Sequence, residues 1–227
     1  MLKAVTSLFF CAFLLAPTAR CETAPAGVRA LIDSAEASAR QGDYEAALPR
    51  YESAISALAA DSRRQQELRY RYGMVLTALA KRHRPDLHPL ARAQFQAVLD
   101  YLDSGAPLRY SAAQVSSALA YSYHQQAASE DQAARRSHLL RNAYRLYRGA
   151  IGGLTRQRQW HNLAITFFNL GQVCEWQGNL EEAITWVEKA VELDRDHGFA
   201  DLEEDIDYLL ALRQKAYPDT KTATSAL

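Results

Sequence analysis

The chain has 227 residues, 48% of them hydrophobic, and a formal net charge of zero. That is enough apolar material for one ordinary domain or one repeat array with a continuous core. Three cysteines are too few for a disulfide framework, and no Gly-rich phosphate loop, C-x-x-C or H-x-x-x-H pattern occurs. The balanced charge hides an uneven distribution. From Arg63 to Arg158 there are 16 Arg and Lys against 6 Asp and Glu, whereas from Glu175 to Asp207 there are 12 acidic residues against 2 basic ones. The basic stretch carries no nucleic-acid recognition motif, which excludes that partner class. Opposite potentials of this size can steer a charged partner or join copies end to end.

Met1-Leu2-Lys3 followed by the apolar run Ala4–Ala16 is the pattern of a secretory signal peptide, assigned to residues 1–26. The run is too short to span a membrane as a helix. Ala19-Arg20-Cys21 and Ala24-Pro25-Ala26 both offer small residues for cleavage. Lipid attachment at Cys21 is the weaker alternative, because Arg20 sits where a small residue is needed. A periplasmic or secreted protein is the expectation, with no transmembrane segment once the signal is removed.

Residues 27–217 read as a run of amphipathic helix pairs. In a first repeat, about 28–61, Gln41-Gly42-Asp43-Tyr44 makes the turn, with Asp43 as N-cap and Ala47, Tyr51 and Ala54 on one face. Pro49 lies past the first turn of its helix and should kink it. A second, about 63–103, has a long turn over Lys81–Pro89 whose two prolines forbid a continuous helix, followed by Ala91, Phe95 and Val98. A third, about 110–154, carries Ala143, Tyr147 and Ala150, and Gly149, Gly152 and Gly153 mark its fraying end. A fourth, about 159–197, turns at Gln177-Gly178-Asn179, where Gly178 ends one helix and Asn179, with Glu182, caps the next. An amphipathic capping helix over 199–217 presents Phe199, Leu202, Ile206, Leu209, Leu210 and Leu212 on one face and acidic residues on the other. A polar, disordered tail over 218–227 follows.

The stretch Ala164–Asp196 resembles the tetratricopeptide repeat, a helix–turn–helix of about 34 residues with an L-G element, then A-x-x-x-F, then a small residue. Leu170-Gly171, Ala183 with Val187, and Ala190 supply these parts, while Cys174 replaces an aromatic and Arg195 the usual proline. Equivalent small residues fall at Ala35, Gly73 and Ala120. The resemblance implies an all-α fold, a right-handed α-solenoid of about four such repeats plus the capping helix.

It also implies a non-catalytic interaction scaffold without cofactor or metal, holding a protein or peptide along a groove lined by the first helix of each repeat. Transferred repeat by repeat, the groove would comprise Arg29, Ile32, Glu36 and Arg40, then Tyr70 and Met74. The third and fourth repeats would add Gln114, Tyr121, His124 and Gln125, then Phe168, Gln172, Glu175 and Trp176. The Lys/Asn clamp of chaperone-binding members is missing from the matching pairs Ile32/Glu36, Tyr70/Met74, Ser117/Tyr121 and Phe168/Gln172.

With the export signal, this points to assembly of a bacterial envelope complex. The alternative is a self-associating structural protein, a homo-oligomer joined through its acidic C-terminal half and basic middle. His83 and His88 share a basic turn with only Asp86 as a further ligand, too few for a metal site. Cys174 falls at a core position, which argues against a nucleophile.

Overall fold

A computed structural model describes residues 26–59 and 61–218, so the signal segment through residue 25, with Cys21, and nearly all of the polar tail lie outside the described residues. Among the described residues nine α-helices and one short 3-10 turn occur, with no strand. The chain divides into two compact units, one through Ser111 and the other from Ala112 onward. Within each unit the helices pack most extensively as consecutive helix–turn–helix pairs, the construction of an α-solenoid.

The first unit holds α1 (Ala26–Arg40), α2 (Tyr44–Ala57), α3 (Ser62–Arg82) and α4 (His88–Asp103). Asp43 caps α2 by accepting from the Ala46 amide at 3.1 Å, and Gly42 takes φ +77 in the turn before it. Helix α2 runs on through Pro49 to Ala57. The long turn differs from its expected extent: α3 ends at Arg82, Pro85–Leu87 is a 3-10 turn, and Pro89 lies in the first turn of α4. There its missing N–H has no intrahelical partner to lose. In this unit Ala47, Tyr51 and Ala54 and then Ala91, Phe95 and Val98 are fully buried. Gly73 of α3 lies so near α4 that a methyl group on it would sit 2.7 Å from the Phe95 ring.

The second unit holds α5 (Ala112–Ala128), α6 (Ala133–Arg156), α7 (Trp160–Trp176), α8 (Leu180–His197) and α9 (Leu202–Ala216). Its core repeats the same register: Ala143, Tyr147 and Ala150 on α6 and Ala183, Val187 and Ala190 on α8 are buried. Asn179 caps α8 by accepting from the Glu182 amide at 3.3 Å and donating to the Glu182 carboxylate at 2.9 Å, and Gly178 takes φ +85.

Three expectations are corrected here. The glycines of α6 do not mark a fraying end, since the helix continues to Arg156. Gly153 is instead a close-contact point, because a methyl group on it would lie 2.6 Å from the Ala113 side chain of α5. Phe199 is not on the last helix; it stays in the preceding turn, stacked on His197 at 5.4 Å and tilted over His161 at 4.8 Å. Nor is the polar side of α9 wholly solvated, because Asp205 is buried whereas Leu210 is exposed.

Candidate protein-binding surface

The side chains assigned to the groove divide by burial. In the first unit Arg29 and Arg40 are exposed and Ile32 is half-buried. Glu36 is buried and forms ion pairs with Arg71 of α3 and, at 3.7 Å, with Arg40. Tyr70 and Met74 are buried as well. The Tyr70 ring lies on Tyr110 with centroids 4.0 Å apart and meets the Phe95 ring edge-on at 5.9 Å. These three residues hold the unit together and present little surface to a partner.

In the second unit α5 and α7 bring their candidates around one histidine. His124 is fully buried; the Trp176 ring lies 4.5 Å from it, with Tyr147 at 6.3 Å and Tyr121 at 6.4 Å. Trp176 and Tyr121 are half-buried, and the exposed Arg136 of α6 holds its guanidinium 5.8 Å above the Trp176 ring. Gln114 and Gln172 are half-buried, while Gln125 is buried. The surface therefore offers two aromatic bodies on a rigid base with a cation at the edge, a composition that favours contact with a protein segment. Sequence reading missed Arg136, because its own helix says nothing of the tryptophan across the pair.

The remaining candidates lie against α9. Phe168 is buried with its ring 5.0 Å from that of Tyr208. Glu175 accepts a hydrogen bond from the Tyr208 hydroxyl at 2.5 Å and from Lys215 at 3.0 Å. The end of the α7 face that carries Phe168 and Glu175 thus has an occupant from its own chain.

A second polar cluster joins α6 to α8. Glu182 accepts from the Tyr144 hydroxyl at 2.6 Å and the Trp186 ring N–H at 3.1 Å, and the Tyr144 bond is the main reason its carboxyl is held below the usual range. Arg148 lies 5.0 Å and Lys189 4.3 Å over the Trp186 ring, which stacks on Phe167 at 5.5 Å.

Cys174 is a free, buried thiol pushed up to about 12, chiefly by burial, so it holds its proton and lacks nucleophilic character at neutral pH. His83 is exposed beside Glu45 at 3.1 Å, whereas His88 turns inward as the first residue of α4. Burial, and then the Arg92 charge, lower His88 to about 4. Among the described residues no group of three or more His, Cys, Asp or Glu side chains is placed to hold a metal ion.

Residues 164–197, which span most of α7, the turn and all of α8, match the tetratricopeptide repeat family. No curated protein matches the chain. The repeat is an interaction module, and the matched residues include Phe168, Gln172, Glu175 and Trp176. No described helix is long and apolar enough to cross a membrane.

Proposed function

We propose that this protein is a non-catalytic scaffold of the bacterial envelope that binds a peptide segment or helix of a partner protein during assembly of an envelope complex. The partner lies on the α5–α7 surface of the second unit, against Tyr121 and Trp176. The observation that carries the reading is the pair of half-buried aromatics braced on His124 and edged by Arg136, of which Trp176 belongs to the repeat that matches an interaction family. The signal-like N-terminus supports the location.

The test is crosslinked co-purification from the native envelope, comparing the wild type with the Tyr121→Ala/Trp176→Ala double variant after both show the same helical circular dichroism. A partner recovered with the wild type and lost with the double variant is the expected result. A partner that persists with the double variant overturns the surface assignment. Recovery of the protein alone favours self-association, a reading supported by the contrast between α6, with seven arginines from Arg135 to Arg158 and its flank, and the acidic α8 and α9.

A further inference from the structure

Two aspartates meet at the junction of α8 and α9, and each is only 1% exposed. Asp194 lies in the last turns of α8, where its backbone carbonyl accepts from the Gly198 and Phe199 amides. Asp205 lies in the first turn of α9, between Leu202 and Leu209 on the inward face. Among the described residues, no N–H or O–H of another residue donates to either carboxyl oxygen of Asp194 or to Oδ1 of Asp205. The two carboxyls are each other's neighbours with no other donor to those oxygens, and a hydrogen bond between them needs one of the two to keep a proton.

The titratable groups facing the pair are Asp201 in the turn, Glu204 on α9 and His161 on α7, the last bonded to Asp201 at 3.0 Å. Burial first, and for Asp205 then the Asp194 charge, push both carboxyls upward. Two ionised carboxylates buried side by side have no cheap arrangement, whereas undocking α9 returns both to water.

The helix this pair holds is the one that covers the fourth repeat, through Tyr208 on Phe168 and through Tyr208 and Lys215 on Glu175. We propose that α9 is a proton-latched cover. While Asp194 and Asp205 share one proton it stays docked on α7, and when that proton leaves it releases, handing Phe168 and Glu175 to the partner. This rests on the reading of the α7 face as the binding surface.

The sign follows from proton linkage. The docked state binds a proton that the released state gives up in the ordinary carboxylate range, so docking is tightest in mild acid and weakens as pH rises. One linked proton lowers the docking constant by up to about tenfold per pH unit.

The experiment is hydrogen–deuterium exchange on the full chain from about pH 5 to about pH 9, the interval between the ordinary carboxylate range and the raised one. Exchange times are scaled for intrinsic chemistry, and amides of α9 are read against those of α6. In the wild type, protection of α9 falls with rising pH while α6 holds. In Asp205→Asn, and equally in Asp194→Asn, the amide supplies the missing donor and α9 stays protected throughout.

A flat wild-type profile overturns the latch. So does a wild-type slope retained in both variants, which assigns the pH dependence to groups outside the pair, and so does loss of α9 protection in both variants at every pH. The readout needs no partner, so a failed latch leaves the Tyr121/Trp176 assignment standing, and a missing partner leaves the latch measured.

Discussion

Gly149 and Gly171 both sit inside helices, and their surroundings give them opposite roles. Gly149 on α6 is exposed with nothing near its missing side chain. Gly149→Ala therefore gains helix propensity at no steric cost, about 0.5–1 kcal/mol of added stability. At Gly171 a methyl group would overlap the Val187 side chain and lie 3.1 Å from the Ala183 carbonyl oxygen. Gly171→Ala should cost about 1–3 kcal/mol despite the same propensity gain, because α7 and α8 must move apart. Urea unfolding of the two variants checks both signs. Equal effects would mean that the α7–α8 contact is not limiting.

At the same scale the sequence reveals more of the core than of the site. The positions of Ala47/Tyr51/Ala54 and Ala143/Tyr147/Ala150 report burial directly, since a small–large–small pattern fits one close helix contact. The groove is harder to read, because a first helix packs against its own partner and against neighbouring helices of the same unit, as α7 does against α6, α8 and α9. Only a narrow stripe of it stays open. The positions that the resemblance assigns to the groove therefore divide by burial, with Tyr121 and Trp176 half-buried and Tyr70, Met74, His124 and Phe168 in the packing. The signal for Asp205 was present in its spacing, three residues after Leu202 and four before Leu209, which puts it on the apolar face of α9.

At the scale of elements, the caps tie local order to packing. Asn179 ends the α7–α8 turn through Glu182, and the same Glu182 binds Tyr144 and Trp186. Asn179→Ala should cost about 1 kcal/mol from the lost cap. The additional expectation is faster amide exchange in the first turn of α8, since Glu182 loses one of its anchors. A thermal shift without that local change would show that the cap and the Tyr144–Glu182 bond are independent. The turns were legible because Gly42, Gly178 and the capping residues have one conformational use. The end of α6 was not, because Gly153 serves contact with Ala113 rather than a turn.

At the scale of the molecule, the second unit separates its charge: α6 is basic on its exposed side, and α8 and α9 are acidic apart from Lys189 and Arg195 on α8 and Arg213 and Lys215 on α9. A partner on α5–α7 therefore meets an apolar, aromatic surface flanked by opposite potentials, which favours one orientation of a polar segment. The competing reading, association of copies, uses the exposed α6 and α8 faces instead.

The direct discrimination is site-specific photocrosslinking in living cells, with a photoreactive side chain placed at Gln172 beside Trp176, or at Arg145 on exposed α6. The expected result is an adduct to a different protein from position 172 and none from 145. Adducts from 145 alone, or only between copies of this chain, would contradict it.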